Sequence, residues 1–329
     1  MSEQELQEDV SPFDTVSKGT FTRSERYQRL FELYFVAPAK IVWSDWRARF
    51  GVSILLMYIF MGTVGTLIVT EPSPMQGPVL LSPFQDWQYP LGTTSNGQSL
   101  FSLLVHSTPP MLKMMTTGAV VSVLIASIVG TVSGYKGGYL DTILMTITDI
   151  MLTLPGLPLT IILAAITGAT SPYVIGFILT VHSWSGLARA LRSQVLTLRD
   201  EPYVEASRLM GISTRKIIAR DLVPNLAPYI GINFMGSARG VIFGSVALYF
   251  LGVLPFTNLN WGVVLNRAYN GGAMYGFDTA HWLIAPLFTI TLIALALVLL
   301  AQGMDRLFNP RVRARHVDTG GEAEHPATK

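Results

Sequence analysis

Cysteine is absent from the 329 residues, which excludes thiolate catalysis, cysteine-ligated metal and disulfides. Charge is scarce as well: 13% of the residues are Asp, Glu, Lys or Arg, where soluble domains carry about 25%. The histidines, His106, His182, His281, His316 and His325, are isolated, with no HExxH pattern and no ligand cluster, and Gly-x-Ser-x-Gly does not occur. No catalytic or metal role is expected of them, because both chemistries need several groups at fixed spacing. The stretch GTTSNGQS at Gly92–Ser99 has the glycine spacing of a phosphate-binding loop and a serine where magnesium is held. It lacks the lysine that grips the phosphates, and Gln98 stands in that place. No internal repeat is visible, which argues against a secondary transporter.

Half of the residues are hydrophobic, and the mean hydropathy is +0.43. The apolar residues are clustered. Runs free of Asp, Glu, Lys and Arg cover Gly51–Thr70, Met114–Tyr135, Ile150–Ala188, Gly240–Asn266 and Thr279–Met304. A membrane-crossing helix needs about 20 such residues. The longest run is broken by the turn signal Gly168-Ala169-Thr170-Ser171-Pro172. Six spans are therefore predicted, near 51–70, 113–134, 142–166, 173–188, 229–254 and 281–303. The acidic first 20 residues have no basic leader into an apolar segment, so the first span is expected to serve as a retained insertion signal.

Lys and Arg alternate sharply between the connecting segments. Residues 1–50 hold seven, 71–112 none, the second turn Lys136 alone, 167–172 none, and 185–228 seven more. Residues 255–280 hold Arg267 alone and the C-terminal tail five. Retained cytoplasmic segments carry the excess. The expectation is a multi-pass protein of the cytoplasmic membrane with both termini in the cytoplasm. The domains then read as a cytoplasmic tail 1–50, a first span 51–70, an extracytoplasmic loop 71–112, a core 113–303 and a cytoplasmic tail 304–329. Within the tail, Tyr27, Leu30, Phe31 and Tyr34 recur at helical spacing between Ser24 and Val36. That amphipathic helix suits either a lipid surface or a partner helix.

The most charged part of the core is 185–228. Pro202 suits a first helical turn, Gly211 a left-handed stop, and Ser213 or Thr214 the cap of a second short helix. That second helix carries Ile217, Ile218 and Leu222, and Pro224 is expected to keep it from continuing unchanged. The result is two short helices offering an apolar ridge rimmed by Arg208, Arg215, Lys216 and Arg220. A basic solvated loop is the plainer alternative.

Glu205-Ala206-Ser207, Gly211, Ile217/Ile218 and Leu222-Val223-Pro224-Asn225 resemble the "EAA" loop of ABC import permeases. Ser207 replaces the second alanine of that motif. Tyr89-Pro90-Leu91-Gly92-Thr93-Thr94 with Gly97-Gln98-Ser99 resembles an outer stretch of the dipeptide, oligopeptide and nickel branch, without that pattern's aspartates and arginine. Gly134–Asp141, Asp149, Pro155, Trp184, Ala188-Arg189, Arg192, Gln194-Val195-Leu196, Leu248–Gly252 and Trp261-Gly262 match the same branch, and Ser245 stands where it often has Glu. The resemblance spans 85–312, is strongest at 184–228, and is closest to the second of the two permeases such systems encode.

What the resemblance implies is an all-α membrane protein of six transmembrane helices, the type I ABC importer permease fold, with a cytoplasmic coupling loop. It also implies a heterodimer with a second permease, two ABC ATPase subunits, and an extracytoplasmic solute-binding protein. ATP and magnesium would be used by the ATPases, and this chain would be no enzyme, would bind no cofactor, metal or nucleic acid, and would contact membrane lipid. Short peptides are the implied solute, with nickel or oligosaccharide as alternatives. The residues implied in ATPase coupling are Glu205, Ala206, Ser207, Gly211, Ile217, Ile218, Leu222 and Pro224.

Inside the spans, Gly236, Gly240 and Gly244 form a small-residue row for close helix approach, either to a partner permease or within the chain. Gly130 and Gly134 form a shorter one. Arg239 either lines the pathway, pairs with a carboxylate such as Asp149, or snorkels to the cytoplasmic interface. Asp149 stands near the inner end of its span with the same ambiguity. Pro155 and Pro158 are expected to kink the third span.

Overall fold

The computed structural model describes Trp43 and residues 45–307. The chain divides into two units, Met1–Ser44 and Asp45–Lys329, and the architecture is that of the second. The amphipathic helix expected at 24–36 and the tail beyond 307 lie outside the described residues. Every regular element among the described residues is helical, apart from one isolated bridge between Thr93 and Ser99.

Helix α1 runs Trp46–Ile68, with a π-helical turn at Met61–Gly65. Asp45 caps it by accepting from the Arg47 amide at 2.8 Å. Helix α2 (Leu100–Lys136) has 37 residues, and Ser99 caps its start by accepting from Ser102 N. Four helices follow in two bent pairs. Helices α3 (Gly138–Thr153) and α4 (Gly156–Thr167) meet at 91°, and α5 (Pro172–Thr180) and α6 (Trp184–Leu198) at 54°. Helix α7 is Pro202–Leu209, and α8 runs Thr214–Phe250 with a π-helical turn at Ile218–Leu222. Helices α9 (Trp261–Asn270) and α10 (Ala280–Leu307) complete the described chain.

Four helices, α1, α2, α8 and α10, are long and apolar enough to cross a membrane, and the count reaches six if each bent pair is one span. The bends have physical causes. Leu154 precedes Pro155 and is extended (φ −71°, ψ 129°), because the proline ring disfavours the helical conformation of its predecessor. The expected kink of the third span is thus a full break at Pro155.

Two expectations need correction. Helix α2 begins at Leu100 rather than near 113, so the end of the expected segment 71–112 is helical, and α2 carries Pro109 and Pro110 inside it. Helix α8 begins at Thr214 rather than near 229, so the expected second short helix is its first turn. It does not continue unchanged: a π-helical turn at Ile218–Leu222 just before Pro224 alters the hydrogen-bond spacing where the proline lacks an N–H, and the helix then runs on to Phe250.

Helix α2 is central and packs against α6, α5 and α8, while α10 packs against α1 and α8. The α2–α6 approach needs small residues. A Cβ on Gly130 would stand 2.5 Å from the Ala188 carbonyl oxygen, and one on Gly134 would stand 2.9 Å from that of Arg192. Gly236 and Gly240 behave oppositely: a Cβ on either meets nothing within 4 Å among the described residues. Gly244 is intermediate, with Leu179 Cδ2 at 3.0 Å. The longer glycine row therefore borders open space at its first two members.

Candidate functional site: an exposed helix anchored in the core

The α6–α8 connection is built by local chemistry. Glu201 is extended and Pro202 opens α7, where its missing N–H and fixed φ cost nothing. The helix ends in a Schellman motif: Ile212 N donates to Ser207 O at 3.1 Å and Gly211 N to Arg208 O at 3.0 Å. Gly211 takes φ +74°, a conformation that disfavours any residue with a Cβ. Ser213 occupies the cap of α8 with its carbonyl, which accepts from Lys216 N and Ile217 N, while its side chain makes no capping bond.

Burial divides this element into two faces. Val204, Ile217, Leu222 and Leu226 are at most 1% exposed and join one cluster with Val123, Ala126, Leu187, Leu191 and Val195 of α2 and α6. Ser207 is also buried. Glu205, Ala206 and Gly211 are exposed, and the apolar side chains facing outward are Leu209 (84%), Met210 (70%), Tyr203 and Ile212. The expected ridge of Ile217 and Leu222 is therefore inverted. Those two anchor the element to the spans, because their apolar surface is better hidden against α2 and α6 than left in water. Ile218 packs partly buried against the same cluster, and Pro224 is exposed. The outward set Tyr203, Leu209, Met210 and Ile212 was not foreseen, although its spacing across Gly211 was readable.

Charges rim the outward face. Arg215, Lys216 and Arg220 are exposed. Arg208 lies over the Tyr135 ring at 5.7 Å and donates to the Arg199 carbonyl. Burial, and then the nearby Glu201 and Asp221 carboxylates, push the Tyr203 phenol above the ordinary tyrosine value. It therefore stays neutral at physiological pH. Asn225 Nδ2 donates to its oxygen at 3.2 Å.

Behind the element, α3 and α6 are joined by two ion pairs. Arg192 Nε and Nη2 donate to Asp141 Oδ1 and Oδ2, both at 2.6 Å. Arg189 pairs with Asp149. The candidate pairing of Asp149 with Arg239 is thus corrected: Asp149 is held by Arg189, which the α5–α6 bend places beside α3. Arg239 makes no ion pair among the described residues and is exposed, as are Gly236 and Gly240 on the same helix face.

That face borders a cavity of about 430 Å³ between α4, the α5–α6 break and α8, lined by Thr160, His182, Asn233, Gly236, Gly240 and Gly244 among others. His182 Nδ1 is buried there with no hydrogen-bond partner. Sequence reasoning set His182 aside as isolated, and no metal-binding group of His, Asp or Glu occurs among the described residues. The GTTSNGQS stretch lies elsewhere, in a small hairpin closed by Thr94 N to Gln98 O at 2.9 Å and Leu100 N to Gly92 O at 3.1 Å, and pinned to the preceding segment by Met75 N to Asn96 O at 2.9 Å and Thr93 N to Leu81 O at 3.1 Å.

A family model described as "Binding-protein-dependent transport system inner membrane component" matches residues 122–314. The chain is 31% identical over 273 residues to the dipeptide transport system permease protein DppC of Bacillus subtilis, covering 81% of this chain and 82% of that relative. It is 27% identical over 227 residues to the oligopeptide transport system permease protein OppC of Lactococcus lactis subsp. cremoris, covering 68% and 76%. Similarity to the OppC protein of Haemophilus influenzae is 27% over 234 residues, covering 70% and 73%.

Proposed function

The chain belongs to the family of inner-membrane components of binding-protein-dependent transport systems, and from that membership we propose a permease subunit of an ABC importer that moves short peptides. The peptide assignment is supported by relatives named for dipeptide and oligopeptide transport. Both termini are cytoplasmic in this reading, which the Lys and Arg asymmetry supports. ATP and magnesium are used by separate ATPase subunits, and an extracytoplasmic binding protein delivers solute.

The observation that carries the reading is the two-faced element 202–226. Its outward side, with Glu205, Ala206, Leu209, Met210 and Ile212, suits a groove on an ATPase subunit. Its inward side is continuous with the packing of α2, α6 and α8. A push on α7 therefore reaches three spans through Val204, Ile217 and Leu222 without an intervening flexible link. Closure of the ATPases moves α7, and the spans switch the cavity between outward and inward access. The open row Gly236–Gly240 and Arg239, which has no ion pair among the described residues, form the face for a second permease, and the cavity beside them lies on the solute path.

The test uses Glu205→Lys and Gly211→Pro in the assembled transporter. Glu205 is exposed, so its reversal leaves the fold and membrane insertion intact. Gly211→Pro replaces φ +74° with proline's fixed φ of about −65° and deforms the turn. Both variants are expected to lose labelled dipeptide uptake and ATPase co-purification. Normal uptake and co-purification in both would sink the docking assignment.

A further inference from the structure

A second pocket, of about 600 Å³, lies where the turn of the Gly92–Ser99 hairpin, α9 and the first turn of α10 meet. Arg267 lines it, is exposed, and makes no ion pair among the described residues. No Asp or Glu lines the pocket. Two further polar groups there lack partners among the described residues. Gln98 is only 8% exposed, and its side-chain amide makes no hydrogen bond. The indole N–H of Trp282, a residue 3% exposed, is buried without an acceptor. Leaving the buried indole N–H unsatisfied costs about 1–3 kcal/mol, and the Gln98 amide and the Arg267 guanidinium lining the same cavity offer donors to an acceptor.

We propose that this pocket binds a carboxylate. A guanidinium fork matches the two carboxylate oxygens, and the Gln98 amide, with Asn96 at the rim, supplies further donors. The single positive charge suits a monovalent group better than a phosphate of nearly two charges. The inference rests on the reading that this face is extracytoplasmic. Two sources carry the required chemistry there: an acidic side chain of the binding protein, or the free carboxylate of a peptide solute.

Arginine modification by phenylglyoxal, read at Arg267 by peptide mass spectrometry, tests this in the assembled transporter in lipid nanodiscs. N-acetylglutamate α-amide is expected to slow modification by about tenfold at saturation, and N-acetylglutamine α-amide to leave it unchanged. Gln98→Leu is expected to weaken the protection. Equal rates with and without the acid, or equal protection by acid and amide, overturn the proposal. Protection by the binding protein without solute assigns an acidic side chain. Protection that needs alanylalanine, and fails with its amide, assigns the solute carboxylate. Protection by the small probe with neither source overturns a role in transport. The orientation is checked separately with Ser95→Cys, the one cysteine in the chain, and a membrane-impermeant maleimide. Labelling only after cells are permeabilised removes the extracytoplasmic reading while leaving the carboxylate result standing.

Discussion

Asp141 and Asp149 lie roughly two helical turns apart on α3, yet their ion pairs differ in setting. The Asp141–Arg192 pair is bidentate, with side chains 15% and 32% exposed, whereas those of Asp149 and Arg189 are 51% and 55% exposed. Removing the arginine strands a carboxylate in the first case and leaves an already exposed one in the second. Arg192→Ala is therefore expected to cost on the order of 2 kcal/mol of stability, and Arg189→Ala within about 0.5 kcal/mol. Thermal unfolding of the two variants in one detergent measures the contrast, and equal shifts would contradict it. Neither partnership was legible in the sequence. Arg189 is 40 residues from Asp149, and only the 54° bend between α5 and α6 brings it alongside α3. Gly130 and Gly134 were legible as a packing row, because their spacing repeats and an apolar helix has few other reasons to hold them.

Among the elements, α7 was readable nearly in full, since Pro202 and Gly211 mark its ends through backbone chemistry that needs no tertiary context. The starts of α2 and α8 were not. Prolines ordinarily signal a stop, but here Pro109 and Pro110 lie within α2 and Pro224 follows a π-helical turn. Helix α9 was missed because its 10 residues are too few and too mixed to stand out in a charge count. The 91° break at Pro155 gives a direct test of cause. Pro155→Ala removes the constraint on Leu154, and the chain is expected to straighten across residues 153–156. Paired spin labels at Ile147→Cys and Ile166→Cys report this without interference, because native cysteine is absent. Their backbone separation should lengthen toward the roughly 28 Å that a straight helix spans over 19 residues. An unchanged distance would assign the bend to packing of α4 rather than to the proline.

For the molecule as a whole, charge-free runs and one turn signal foretold where the apolar segments lie, while their mutual packing depended on contacts that no run of sequence reveals. The two glycine rows show the difference. Both have small residues four apart, but Gly130 and Gly134 are closed by α6, and Gly236 and Gly240 face open space beside the 430 Å³ cavity. Filling each row should have opposite consequences. Gly130→Val drives a side chain into the Ala188 carbonyl and is expected to cost about 1–3 kcal/mol, seen as a lower unfolding temperature of this subunit alone. Gly240→Leu places its Cβ where nothing lies within 4 Å and its remaining carbons in open space, and it adds helix propensity, so that temperature should hold or rise. Its effect should appear only on assembly, as lost co-purification of the second permease and lost peptide uptake. A Gly240→Leu subunit that still assembles and transports would place the second permease on another face, and one that unfolds as readily as Gly130→Val would mean the row is closed within this chain. Arg239, exposed one residue before Gly240, sharpens the test. If this face meets the second permease, Arg239→Glu should impair the same assembly without lowering the stability of the isolated subunit, because no ion pair within the described residues depends on it.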